Sequence, residues 1–279
     1  MSATEDAEPL PAIVDSHGHL YWSSFDADRG EVLERARQAG VRQMLVVGTT
    51  LETSRACFAL AEKEPDLFPT AGIHPHDASC HGEDETNTGD ALLSIEEVRA
   101  GIEELCRRPE CVAVGETGLD FFRNMASKTE QFDNFQWQLD LARRLDKPVI
   151  VHSRNAHEDT IRILAEFKGV RGVLHCFDYG PEEVGAYVDL DFYVSFSGIA
   201  TYANKKGNRA AAQLVPEDRI LIETDCPFLC PKDRRRGRNE PANVRIVLEV
   251  LAEARGESLV ELARATTANA GRLFGLPKI

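Results

Sequence analysis

No run of about 18 apolar residues occurs in this 279-residue sequence, so it offers no stretch long enough to cross a bilayer as a helix. No Cys-x-x-Cys pair occurs either. The seven cysteines, at positions 57, 80, 106, 111, 176, 226 and 230, are odd in number and scattered, which argues against a zinc ribbon and against a disulfide framework. They are expected to be small buried hydrophobes in a reducing compartment. No Gly-x-Gly-x-x-Gly turn follows the first apolar run, which disfavours an open, doubly wound dinucleotide-binding sheet. Basic residues are in deficit, 32 Lys and Arg against 46 Asp and Glu, giving a formal net charge of −14. A long basic stripe that tracks duplex nucleic acid is therefore not expected. Residues 1–11 lack both a basic and an apolar signal-peptide region, and are expected to be an acidic, disordered tail ahead of one domain over 12–279. A cytoplasmic monomer without membrane attachment is the corresponding expectation.

What the chain does contain is an alternation. Short apolar runs at 12–14, 43–48, 68–73, 111–114, 149–151, 172–174, 192–196 and 220–222 are too continuous for half-exposed strands and suit parallel strands buried on both faces. Helical patterns over 29–40, 53–64, 95–107, 128–145 and up to 167 lie between them, and helices over 242–255 and 258–274 close the chain. The stretch 128–145 is the most periodic, with Phe132, Phe135, Leu139, Ala142 and Leu145 at helical spacing, which marks core. Eight such βα units with no linker between them predict an α/β fold, a (β/α)8 TIM barrel, over the open sheet.

In such a barrel the C-terminal ends of the strands meet at one mouth, and residues of ligand type stand there. His17 and His19 follow the first apolar run two residues apart, so in extended chain they point to the same side. Glu116 follows the fourth run, His152 the fifth, His175 the sixth and Asp225 the eighth. Four imidazoles and two carboxylates exceed the three protein ligands of a single catalytic zinc. Two divalent ions fit better, one on His17, His19 and Asp225, the other on His152 and His175, with Glu116 between them. Zinc, manganese and magnesium all remain compatible with this donor set.

These residues sit in motifs that, taken together, resemble the TatD-type metal-dependent deoxyribonucleases of the amidohydrolase-like barrels. The motifs are Asp15-Ser16-His17-Gly18-His19-Leu20, Gly72-Ile73-His74-Pro75-His76, Gly115-Glu116-Thr117-Gly118-Leu119-Asp120, His152-Ser153-Arg154, His175-Cys176-Phe177, Glu223-Thr224-Asp225-Cys226-Pro227, Arg238-Asn239-Glu240-Pro241 and a final Asn269-Ala270-Gly271-Arg272-Leu273-Phe274-Gly275. The resemblance implies a two-metal hydrolase of phosphodiesters with His17, His19, Glu116, His152, His175 and Asp225 as ligands. Two positions depart from it. Gly18 stands where the family often has cysteine, and Phe121-Phe122-Arg123 stands where a tyrosine is usual, which bears on substrate contacts more than on chemistry.

Asp225 and Glu116 are the expected catalytic carboxylates: Asp225 orients or deprotonates the attacking water, and Glu116 joins the two ions. Arg154, Arg123, His74 and Glu223 are candidates for substrate contact, with orientation of a ligand as the other role of Glu223. His81 and His157 are read as ordinary surface residues. The expected mouth loops carry Arg123, Arg154, Lys205, Lys206, Lys232, Arg234, Arg235, Arg236 and Arg238, beside an acidic segment at 83–90. That pattern predicts exonuclease-like trimming or repair processing of single-stranded or frayed ends, and the resemblance implies DNA as the substrate and 3'-5' polarity. Hydrolysis of another bond, such as an aminoacyl ester, lactone, amide or phosphotriester, by the same two-metal barrel is the alternative.

Overall fold

The computed structural model describes residues 11–79, 93–234 and 237–279. The tail over 1–10, the acidic segment 83–90, Cys80, His81, Arg235 and Arg236 lie outside the described residues.

Eight parallel strands follow one another around the sheet in chain order: β1 (Ile13–Gly18), β2 (Val41–Val46), β3 (Leu67–Ala71), β4 (Ala113–Asp120), β5 (Val149–Arg154), β6 (Gly172–Leu174), β7 (Tyr193–Phe196) and β8 (Ile220–Ile222). The ring is joined where the parallel bridge Gly18–Cys226 brings the chain beyond β8 back to β1. An open sheet with a reversal of strand order is thereby excluded, and the expected TIM barrel is the fold.

The helices are α1 (Arg29–Gln38), α2 (Leu51–Ala61), α3 (Ile95–Arg107), α4 (Lys128–Leu145), α5 (His157–Glu166), α6 (Pro181–Val188), α7 (Lys206–Leu214), α8 (Val244–Arg255) and α9 (Leu259–Phe274). Their starts are written locally. Ser94 with Glu97, Ser127 with Glu130 and Ser258 with Glu261 each form a reciprocal capping box that satisfies orphan amides at the first turn. The α8 and α9 ends pass into left-handed glycines, Gly256 and Gly275, both at φ 67°.

Two apolar layers result. Outward-facing strand residues such as Met44, Val46, Val149, Val151 and Ile222 pack with Leu33, Phe58, Phe135 and Leu248 of the helices. Ile150 shares a strand face with His152, and it clusters with Val14, Leu45, Ala113, Val173, Leu221 and the α9 residues Leu273 and Phe274. This second layer is the floor beneath the mouth.

Two features of the helix-to-barrel packing differ from the expectation. Phe135, Leu139 and Ala142 of α4 are buried as the periodicity predicts, but Phe132 and Leu145 are only partly so. Their place is taken by a buried polar stripe, Gln131, Asn134 and Gln138. Gln138 accepts from Ile73 N at 2.8 Å and donates to Ile73 O at 2.9 Å and to Thr117 Oγ1 at 2.6 Å. Gln131 accepts from Asp120 N at 2.8 Å. Ile73, just beyond β3, and Thr117 and Asp120 of β4, past the last β3–β4 pair at Ala71 and Val114, thus find hydrogen-bond partners in a helix.

The second feature is the depth of Glu116. It does not follow a strand ending at Val114 but lies within β4, whose pairing with β5 is broken between Val114 and Thr117. Gly118 pairs with His152 at φ 137°, and a Cβ there would stand 2.0 Å from His152 O. Gly118→Ala is expected to lower stability by ~3 kcal/mol and to displace His152. A denaturant midpoint that does not move, at unchanged slope, would contradict this.

Candidate metal centre

The mouth is assembled from the backbone first. Asp225 N donates to His17 O at 2.9 Å and His19 N donates to Cys226 O at 2.7 Å, so the turn after β8 and the end of β1 hold each other. Asp15 reinforces the seam, accepting from Thr224 N at 2.8 Å and Thr224 Oγ1 at 2.6 Å. Burial pushes the Asp15 carboxyl up to about 7 in spite of these bonds. Asp225 itself is left-handed, φ 56°, a conformation that aspartate tolerates better than most residues. Gly18 fits closely between the two histidines: a Cβ there would lie 2.9 Å from Cys226 Sγ, so the cysteine of the β8 turn already fills the space a larger residue would need.

Around Glu116 the imidazoles divide into two sets. Its Oε2 faces His17 Nε2 at 3.3 Å and His19 Nε2 at 3.8 Å, and these two nitrogens face Asp225 Oδ1 at 3.6 and 3.2 Å. Its Oε1 faces His175 Nε2 at 2.8 Å and His152 Nδ1 at 3.0 Å. Burial opposes ionisation of Glu116, but the imidazoles of His175, His74 and His17 and the hydrogen bond from His152 outweigh it and hold the carboxyl well below its usual range. Asp225 is also held low, because its bond to His19 and the charges of His19 and His17 overcome burial.

Outer partners decide which nitrogen of each ring carries its proton. His19 Nδ1 lies 2.8 Å from Val47 O, His175 Nδ1 lies 3.2 Å from Glu223 Oε1, and His152 Nε2 lies 3.1 Å from Asp120 Oδ2. Each of these nitrogens faces an acceptor and must bear hydrogen, so each neutral ring turns the lone pair of its other nitrogen toward Glu116 or Asp225. Such nitrogens meet carboxylates favourably only with a proton or a metal cation between them. The donor set, with its outer acceptors, therefore fits divalent metal ions. Two groupings whose ligand atoms all lie within 4.8 Å of one another are His17, His19, Asp225 and His17, Glu116, His175.

His74, which joins a third grouping with Glu116 and His152, behaves differently. Its Nδ1 accepts from His76 N at 3.1 Å, which puts the proton of the neutral ring on Nε2, 3.4 Å from Glu116 Oε1. Burial pushes this imidazole down to about 3, so at neutral pH it is an uncharged donor rather than a lone-pair ligand.

The remaining candidates fall in different places. Glu223 is fully buried behind His175, and accepts from Cys176 N at 2.7 Å, so it fixes the His175 ring and is out of reach of the mouth. Arg154 is exposed, its guanidinium 4.0 Å above the ring of Phe122. Arg123 is exposed on the same loop, its backbone amide donating to Asp120 Oδ1 at 2.8 Å. Lys205 and Arg238, two of the pooled mouth cations, are engaged by Asp178 and Asp28. His157 is not bare surface: it is half-buried, with Nδ1 3.1 Å from Tyr187 Oη.

Asp120 and His76 join the cluster at the mouth, although their positions relative to the apolar runs do not single them out in the sequence. Asp120 Oδ2 binds His76 Nε2 at 2.9 Å as well as His152, at the true end of β4. Its signal was present, since residues 116, 118 and 120 share one face of an extended chain.

A family described as TatD related DNase matches residues 14–275. The uncharacterized metal-dependent hydrolase YabD of Bacillus subtilis is 38% identical over 264 residues, spanning 94% of this chain and 98% of that protein. The 3'-5' ssDNA/RNA exonuclease TatD of Escherichia fergusonii is 38% identical over 265 residues, spanning 92% of this chain and 97% of that one. Among solved structures, the TatD homolog YJJV from Escherichia coli superposes with a TM-score of 0.84 at 29% identity, covering 95% of this chain and 98% of its own. Similarity of that extent, over a barrel whose mouth gathers the expected ligand types, means that the chain belongs to the TatD family of metal-dependent hydrolases.

Proposed function

We propose that this protein is a two-metal phosphodiesterase that trims single-stranded or frayed DNA from its 3' end. The observation that carries the reading is the Glu116 carboxylate, whose two oxygens face two separate imidazole sets. The exonuclease name of a relative 38% identical supports the choice of substrate. His17, His19 and Asp225 would hold one divalent ion, His152 and His175 the other, and Glu116 both. When bound, the ions supply Lewis-acid polarisation of the phosphoryl group and a lowered pKa for the attacking water.

The chain's own groups do the rest. Asp225 is ionised, and its side chain is 12% exposed against 4% for Glu116, so it is the carboxylate that water from the mouth can reach and to which it can give a proton. Glu223 and Asp120 fix the His175 and His152 rings so that their lone pairs stay inward. The Nε2 proton of His74 is a neutral donor for a phosphoryl oxygen. Arg154 and Arg123 on the rim meet phosphates beyond the scissile one. The net charge of −14 opposes long duplex contact and leaves short, unpaired ends as the substrate.

The test is a time course on end-labelled single- and double-stranded oligonucleotides with zinc, manganese or magnesium, with Asp225→Ala as the control. Stepwise shortening of the single strand, lost in the control, is expected. Turnover of carboxylic esters or lactones with intact oligonucleotides would overturn the reading. Within it, Phe122→Leu removes the ring that holds Arg154 and is expected to raise KM several-fold, about 3 to 10, with kcat nearly unchanged.

A further inference from the structure

Among the described residues the exposed large apolar side chains are Phe122, Leu214, Phe228 and Ile279. Leu214 ends α7 and Ile279 ends the chain, but Phe122 and Phe228 follow β4 and β8 at the rim of the mouth. Phe122 already has the Arg154 guanidinium on its face. Phe228 is 43% exposed, and its ring contacts are edge-on or steeply tilted: Trp22 at 5.2 Å and 76°, His19 at 5.9 Å and 63°. No ring among the described residues lies parallel to it.

We propose that Phe228, braced by Trp22, is the platform on which the nucleobase next to the scissile phosphate stacks. The proposal rests on the phosphodiesterase reading and specifies how that site selects its substrate. Three observations carry it. The ring abuts His19, a candidate ligand, so a base on Phe228 belongs to a nucleotide whose phosphate is at the ions. Water-exposed phenylalanine is unfavourable in the free protein, and covering it with a base recovers that cost. Two cations of the mouth loops, Lys205 and Arg238, are also held by carboxylates of the same chain, which lessens the electrostatic part of the binding. Stacking supplies affinity that neither salt nor net charge weakens.

The consequence is strand selection. A base paired in a duplex has both faces covered and must unstack to reach Phe228, whereas an unpaired end reaches it freely. Because every base offers a π-face, the platform tolerates all sequences.

The test uses the metal-loaded enzyme and a short single strand carrying 2-aminopurine at the base expected on Phe228, with a phosphorothioate at the scissile linkage to slow turnover. Fluorescence of the probe is expected to be quenched on binding to the parent. Phe228→Leu should abolish the quench and raise KM on the order of 10-fold, and Phe228→Trp should restore both. Substrate with an abasic site at that position should cost the parent a similar factor and leave Phe228→Leu indifferent. Metal content, measured on each variant, separates stacking from disturbance of His19. Stepwise cleavage with equal quench and KM in parent and Phe228→Leu would overturn the platform and leave the phosphodiesterase reading standing. Parent enzyme that neither cleaves nor quenches the oligonucleotide would overturn both.

Discussion

Glu116→Gln is expected to lower turnover by on the order of 10³-fold or more, and to lower the divalent metal retained by the purified protein. The substitution preserves shape almost atom for atom and removes the two properties the position requires. An amide offers one oxygen and one nitrogen without a lone pair, so whichever way it turns, either the His17 and His19 side or the His152 and His175 side loses its oxygen. It also removes the negative charge that five imidazoles face. Metal analysis together with kcat on a single-stranded oligonucleotide checks the prediction. A variant with parental metal content and parental kcat would remove Glu116 from the centre of the site.

Acidification from pH 8 to pH 5 is expected to weaken metal binding by up to about tenfold per pH unit, on the order of 10³-fold over the range, for each proton an ion displaces, and to extinguish activity with it. The sign follows from the metal-free site. Burial pushes the rings of His19, His152 and His175 down, but Asp225 acting on His19, Asp120 and Glu116 on His152, and Glu116 and Glu223 on His175 outweigh it and raise all three above 6.5. An ion thus competes with protons for these nitrogens. Affinity therefore rises with pH. Calorimetric titration of metal in two buffers of different ionisation enthalpy counts the protons released, and a count of zero would contradict the assignment.

The metal-free protein responds in the opposite direction. Histidines whose folded pKa exceeds 6.5 contribute stability that is complete below pH 6.5 and is lost as pH rises through the folded value. Metal-loaded and stripped protein should accordingly differ most in melting temperature at alkaline pH.

Much of this molecule is legible in its sequence because the signals are local. Continuous apolar runs mark strands buried on both faces, the periodicity of 128–145 marks α4, and the ligand types in register with strand ends mark the mouth. The alternation of the two element types is enough to indicate the barrel, since parallel strands with helical crossovers have few ways to bury both faces. What only the tertiary structure decided is how side chains far apart in the chain partner one another. The polar stripe of α4 reads as solvent-facing until Ile73 and Asp120 are found beside it. His74 reads as a substrate contact of undetermined protonation until the amide of His76 takes its Nδ1 and leaves the proton on Nε2. Lys205 and Arg238 read as free mouth cations until Asp178 and Asp28 meet them. Periodicity is a property of the backbone repeat and survives in one dimension. The protonation of a ring, or the availability of a charge, depends on its nearest partner in space, and only the closed barrel supplies that partner.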